Sequence, residues 1–407
     1  AAPEDKNGKL YMFGSNNWGQ LGLGTKNTVS KPTCVKVLKP EKVKLAVCGR
    51  NHTLIYTEKG NLYATGGNSE GQLGLGGTEE RSAFHLVNYF TSQHKIKQLA
   101  AGSYTSAALT EDGQLFMWGD NSEGQIGLGN EANACVPHQV DVGKPVCWIS
   151  CGYYHSALIT CDGELYTFGE SDNGKLGLSL EQLKNNRVPQ LVSGIPSRVN
   201  KVACGGGHTV ALAEVFTFGL GQYGQLGLGT FIFETSEPKM VDHLGKHKIC
   251  YITSGENHTA LITGNCNVNS DATFSVCRKN GLMYTFGDGR HGKLGLGKEK
   301  YTNQFVPILC SNFLRFTVHL VSLHYLSFAI KTSFLSFLFP FSSFFLPSSL
   351  SFLFSSFPLF PFSFLPLFPS FSFLFPFLLS YPFLDAQIQK GKHFSMLPCL
   401  VIQHHFC

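Results

Sequence analysis

LFMWGDNSEGQIGLG (residues 115–129) decides the fold, because the chain carries six versions of it. The others are LYMFGSNNWGQLGLG (10–24), LYATGGNSEGQLGLG (62–76), LYTFGESDNGKLGLS (165–179), VFTFGLGQYGQLGLG (215–229) and MYTFGDGRHGKLGLG (283–297). Their fifth residues, Gly14, Gly66, Gly119, Gly169, Gly219 and Gly287, are spaced by 52, 53, 50, 50 and 68. A period near 50 is that of a propeller blade or a similar array, in which each unit buries its apolar face only against its neighbours.

A second motif interleaves with the first: VKLAVCGRNHTLI (43–55), IKQLAAGSYTSAA (96–108), CWISCGYYHSALI (147–159), NKVACGGGHTVAL (200–212) and CYITSGENHTALI (250–262). The turn signals EKGN (58–61), EDGQ (111–114) and CDGE (161–164) join the two motifs into hairpins. One repeat therefore reads as strand, turn, strand, Gly-rich loop, then a variable loop carrying a proline (Pro32, Pro137, Pro189, Pro238 or Pro307). Alternating Leu and aromatic residues in LYxFG suit a strand packed between sheets. In GQLGLG both apolar residues (Ile126 leads in the third copy) are expected between blades, with the glycines turning the chain around them.

His52, His155, His208 and His258 fall in one column, with Thr105 in that slot of the second copy. Four histidines invite a metal or general-base reading. Recurrence once per blade argues instead for one structural hydrogen bond made repeatedly, since catalysis needs a single constellation. Cys48, Ala101, Cys151, Cys204 and Ser254 share another slot, which selects for small size and not for sulfur. Asn51-His52-Thr53 and Asn257-His258-Thr259 match the glycosylation sequon but lie inside the repeat strand, with no secretory signal ahead of them. No catalytic, metal or cofactor residue is assigned, and the partner-binding residues are left unassigned.

Composition agrees with an all-β chain: 44 Gly and only 14% charged residues fit many short strands and tight turns. The net charge of +5 comes from 32 basic and 27 acidic residues with no like-charge block, so nucleic acid is not expected as a partner. Thirteen Cys without a CxxC pair lower the case for structural zinc, and AAPEDKNGKL at the start is no signal peptide, so a reducing cytoplasmic setting is expected. The chain opens without Met, which suggests that its true start is missing.

GQLGLG, the C-G-x-x-H-T/S strand and the 50-residue period together resemble the regulator of chromosome condensation repeats. WGDNSEGQIGL (118–128), ISCGYYHSA (149–157), SGENHTALIT (254–263) and YTFGDGRHGKLGLG (284–297) look most like a ciliary member of that family, and the likeness covers about residues 8 to 321. The resemblance implies a β-propeller that is seven-bladed in the family. It also implies a scaffold at the cilium base or transition zone that binds the delta subunit of a prenyl-binding phosphodiesterase and a coiled-coil interacting protein. The founding member instead promotes nucleotide exchange on a small GTPase with a loop wedge and acidic residues on one face, and no residue here matches that wedge.

Four departures from the pattern stand out. The copies amount to about six blades, so an incomplete ring with two open sheet edges is expected, lacking about one N-terminal blade and its closing strands. His208 stands seven residues before Val215 where the other intact copies have ten, which puts the register there in question. GNCNVNSDATFSVCRKN (264–280) interrupts a hairpin tip and reads as retained non-coding sequence. FLRFTVHLV (313–321) begins a further repeat that fails at Ser322.

The expected domains are thus a remnant at 1–9, repeats over 10–321 and a non-globular, disordered tail over 322–407. Within the tail, residues 333–384 are Phe, Leu, Ser and Pro apart from Tyr381, as in a translated polypyrimidine tract. A membrane span is not expected there, since Pro340, Pro347, Pro358, Pro361, Pro366, Pro369, Pro376 and Pro382 leave no long helix. HHFC at the end is no prenylation box.

Overall fold

The computed structural model describes residues 10–90, 94–245, 247–264, 281–297, 302–314, 316–323, 328–334 and 400–403. Five four-stranded antiparallel sheets follow one another along the chain, each a simple meander. Blade one is Val43–Cys48, His52–Thr57, Leu62–Gly66 and Arg81–Leu86. Blade two is Ile96–Ala101, Thr105–Thr110, Leu115–Gly119 and Ala134–Val140. Blade three is Val146–Cys151, His155–Thr160, Leu165–Gly169 and Gln190–Leu191. Blade four is Lys201–Cys204, His208–Leu212, Val215–Leu220 and Glu234–Met240, and blade five is Ile249–Ser254, His258–Thr263, Met283–Gly287 and Gln304–Leu309. The first strands of successive blades pack side by side around a common funnel, as in a propeller.

The expected proline loop contains a fourth strand. Pro137, Pro238 and Pro307 sit inside these outermost strands, Pro189 immediately precedes one, and Pro32 lies in the edge strand Val29–Cys34 of a smaller sheet. Sequence reading placed them in a loop because proline argues against a central strand. At a sheet edge, and beside the register shifts seen in blades two, four and five, its missing N–H costs nothing.

Register is set at the histidine end. His52 faces Gly66, Thr105 faces Gly119, His155 faces Gly169, His208 faces Gly219 and His258 faces Gly287. The doubt over His208 is therefore resolved: its shortened hairpin keeps the pairing and closes at Leu212 and Val215, around Ala213 and Glu214 alone. Length differences are absorbed at the far end. In blade five Thr263 N donates to Leu282 O at 2.9 Å, matching Thr57 N to Asn61 O at 3.0 Å in blade one, so the hairpin closes alike across 264–280. Residues 265–280 themselves, the remnant at 1–9 and tail residues 335–399 and 404–407 lie outside the described residues.

Two smaller sheets complete the set. Leu10–Gly14 pairs with Val29–Cys34 on one side and with Leu400–Gln403 on the other, Leu10 facing Gln403 and Phe13 facing Leu400. This edge was expected to be open; a backbone from the far end of the chain satisfies its N–H and C=O groups instead. Phe316–Leu323 and Phe328–Phe334 form a hairpin that straddles residue 321.

Packing between blades rests on a glycine meeting an aromatic ring. The second glycine of each GQLGLG loop has positive φ, and a Cβ there would stand 2.8 Å from Trp118 at Gly74, 3.0 Å from Phe168 at Gly127, and 2.8 Å from Phe218 and Phe286 at Gly177 and Gly227. Each ring belongs to the next blade. Blade one has Thr65 in the aromatic slot, and Phe84 from its fourth strand fills the gap against Gly22. The first apolar residue of the loop is fully buried in every copy, from Leu21 and Leu73 to Leu226 and Leu294. The second was expected inside as well but is only half-buried, except Leu178.

Gly24 has a similar φ of +80° but open space around it. Gly24→Ala should therefore cost about 1 kcal/mol from backbone strain alone. Gly177→Ala, with strain and a ring in the way, should cost roughly 3 kcal/mol, as read from urea unfolding midpoints.

Candidate functional site

The recurring polar chemistry of the repeat is consumed between blades. His155 Nε2 lies 2.9 Å from Thr209 Oγ1 in blade four, and that hydroxyl donates to Lys175 O at 2.8 Å, back in blade three. His52 Nε2 reaches Ser106 Oγ at 2.9 Å, which donates to Gln72 O at 2.7 Å. His208 Nε2 reaches Thr259 Oγ1 at 3.0 Å, which donates to Gln225 O at 2.9 Å. A hydroxyl has one proton, and the carbonyl takes it. The imidazole must then be the donor, neutral and protonated on Nε2.

Burial enforces that state. His52, His155 and His208 are 0–1% exposed, and their Nδ1 atoms have no hydrogen-bond partner. Desolvation pushes His52 and His208 down to about 3, and it pushes His155 well below its usual value with help from the Lys175 charge. Each ring also lies against the glycine of its C-G-x-x turn, where a Cβ would meet His52 Cε1 at 2.4 Å. Thr105 replaces the ring in blade two and turns instead to Asp120 O in its own blade at 3.4 Å, while Ser156 still donates to Gln125 O at 2.8 Å. These columns are scaffold, as their recurrence suggested.

At this end of the blades the C-G-x-x turns surround the funnel. Arg50 N donates to Gly102 O at 3.1 Å, Ser103 N to Gly152 O at 3.2 Å, Tyr153 N to Gly205 O at 3.3 Å and Gly206 N to Glu256 O at 2.9 Å. A Cβ at Gly102 would stand 2.3 Å from Gly152 O, so only glycine permits the approach. The funnel wall bears Arg50, Ser103, Tyr153 and Glu256. The neighbouring cysteines are inert packing: Cys48, Cys151 and Cys204 are buried, and desolvation pushes the Cys151 thiol up to about 12 and Cys204 higher still.

The loops between LYxFG and GQLGLG emerge at the same end and differ from copy to copy. Blades two and three present Asp120, Glu123, Glu170 and Asp172 there; partial burial and then those carboxylates together with Glu131 push the Glu123 carboxyl up. Glu170 is paired with the buried Lys175, and Glu131 with Arg187. In blade five the character changes. Asp288 receives Arg290 Nη2 at 2.9 Å and the buried Lys293 Nζ at 2.6 Å; burial alone would raise its carboxyl, yet these bonds hold it at about 2.

Lys175 and Lys293 occupy the slot that is Gln20, Gln72, Gln125 and Gln225 elsewhere. Sequence reading did not single them out, although GKLGLG against GQLGLG was the available signal. Among the described residues no group of three or more His, Cys, Asp and Glu could hold a metal, and no helix is long and apolar enough to cross a membrane.

Comparison with known proteins agrees with this architecture. The sequence profile of the RCC1-like domain matches residues 1–261, and that of the regulator of chromosome condensation (RCC1) repeat matches residues 280–325. The chain belongs to the RCC1-like domain family. It is 71% identical over 318 residues to the human X-linked retinitis pigmentosa GTPase regulator, and 72% and 67% identical to the dog and mouse proteins of that name. The match covers 78% of this chain but 30% of each relative's own length. Among solved structures, Prp20p from Saccharomyces cerevisiae aligns with a TM-score of 0.60 at 21% identity over 82% of this chain and 93% of that one. Human WBSCR16 gives 0.67 at 23% over 78% and 80%. These two likenesses concern the fold.

The lowered histidines carry a sign. Their stabilisation is complete above the unfolded value of 6.5 and is lost as pH falls, because the unfolded chain takes up protons that the fold refuses. Between pH 6 and 5, His52, His155 and His208 together should lower the unfolding free energy by up to about 4 kcal/mol. Urea unfolding midpoints at pH 7.5, 6 and 5 check this; stability that is flat over that range would contradict it.

Proposed function

We propose that the protein is a non-catalytic, protein-binding scaffold of the cilium base or transition zone, gripping its partners through the copy-specific loops at the funnel end. The observation that carries this reading is the 71% identity over 318 residues with the X-linked retinitis pigmentosa GTPase regulator, whose name also points to a photoreceptor setting. The geometry supports it: the recurring His, Ser/Thr and Gly residues are spent in holding blades together, which leaves the loops free to vary on a rigid frame. The partners proposed are the delta subunit of a prenyl-binding phosphodiesterase, a coiled-coil interacting protein and small GTPases.

A second reading is guanine-nucleotide exchange on a small GTPase. The relative's name includes a GTPase regulator, and the Prp20p structure is described with binding to Gsp1p and histones. The exposed carboxylates of Glu123 and Asp172, which stand near each other at the funnel end, are the acidic groups that such an activity could use. Purified protein should bind the immobilised phosphodiesterase subunit and leave the release of a fluorescent guanine nucleotide from small GTPases at its intrinsic rate. Accelerated release that is lost in the Glu123→Gln, Asp172→Asn variant would replace the scaffold reading with the exchange reading.

A further inference from the structure

The first hairpin of each complete blade except the fourth carries the same irregularity: a β-bulge one residue into its first strand, at Lys44, Lys97, Cys147 and Cys250. Across the hairpin, the residue that follows the second strand is Glu58 in blade one, Glu111 in blade two and Cys161 in blade three. In the first two blades this position is electrostatic. Lys42 pairs with Glu58 at 3.5 Å and Lys44 with Glu111 at 3.7 Å, all of them exposed. Blade three replaces both the bulge lysine and the turn glutamate with cysteine.

The bulge brings the two thiols together. It sets Cys147 and Trp148 against the single residue Ile159, so Cys147 falls on the side of the hairpin shared by Ile159 and, two residues on, Cys161. Cys147 Sγ donates to Thr160 O at 3.5 Å, and Cys161 N donates to Pro145 O at 2.9 Å, which fixes both backbones. The Cys161 thiol is near enough to push the Cys147 thiol up. Both are free thiols, Cys161 exposed and Cys147 half-buried. Arg198 Nη2 donates to Cys161 O at 2.7 Å, and burial, then Cys161, push the Cys147 thiol up against the opposing fields of Lys97 and Arg198.

We propose that Cys147 and Cys161 form a reversible disulfide clip, made by exchange with a small disulfide of the glutathione class. The exposed Cys161 thiolate attacks one sulfur of glutathione disulfide, forming a mixed disulfide and releasing one glutathione thiolate. The Cys147 thiolate then attacks the Cys161 sulfur and expels the second glutathione. Two protein thiols are oxidised, one glutathione disulfide is reduced to two glutathione molecules, and the two thiol protons leave with them. The clip ties the outer end of Val146–Cys151 to the turn after His155–Thr160, fastening one hairpin at the end away from the funnel. Cys48, Cys151 and Cys204 are buried and take no part.

The test uses the full-length chain incubated with glutathione disulfide, digested with chymotrypsin without reductant and read by mass spectrometry. The expected product joins the peptides that contain Cys147 and Cys161, with the mass of two hydrogens lost and Cys151 still alkylatable. Cys147→Ser should stop at the glutathione adduct on Cys161, and Cys161→Ser should leave Cys147 unlinked. In thermal melts, oxidation should raise the midpoint of the native chain and not that of Cys161→Ser. A stable glutathione adduct on the native chain, linkage of either cysteine to another residue, or both thiols remaining free at an oxidising ratio would each overturn the proposal.

Discussion

Each blade is joined to the next by a hydroxyl proton with only one place to go. Thr209 and its counterparts Ser106 and Thr259 donate to the backbone carbonyl of a Gln or Lys in the preceding blade, and so must accept from the histidine of that same blade. One hydrogen-bond relay thereby fixes a loop, a strand and a neighbouring strand at once. The surroundings are dry, which makes the relay costly to leave unsatisfied and leaves the imidazole no room for a second proton. Glycine is required beside it twice over, once against the ring and once where successive C-G-x-x turns meet around the funnel.

From that constraint follows a division of labour. The residues that recur are taken up by contacts between blades, much alike from blade to blade. On the proposed scaffold reading, discrimination falls to the loops at the funnel end, acidic in blades two and three and carrying Arg290 and Lys293 around Asp288 in blade five. Where a blade departs from the rule, the structure compensates locally: Phe84 fills the place left by Thr65, and Glu170 and Asp288 receive the lysines that stand in for glutamine.

Much of this was legible in the sequence, and for identifiable reasons. The period, the hairpins, the structural histidines and the small-residue slot each recur, and recurrence itself is the signal. The fourth strand was missed because its prolines speak against a strand unless the strand is known to lie at an edge. The pairing of Leu10–Gly14 with Leu400–Gln403 joins segments almost a whole chain apart, which no local pattern announces. The register at His208 looked doubtful because only spacing was visible, whereas the structure anchors pairing at the histidine end and takes up the deletion at the turn. The partner-binding residues stayed unassigned for the converse reason: loop residues that change between most copies give no internal pattern to read.

Histidine and hydroxyl should be energetically coupled across the blade boundary. A double-mutant cycle on His155→Ala and Thr209→Val, followed by urea unfolding at pH 7.5, tests it most directly. The predicted result is a coupling energy of about 1 kcal/mol or more, since either single change already breaks the bond. Additivity within about 0.3 kcal/mol would contradict the account and make the column a matter of packing alone.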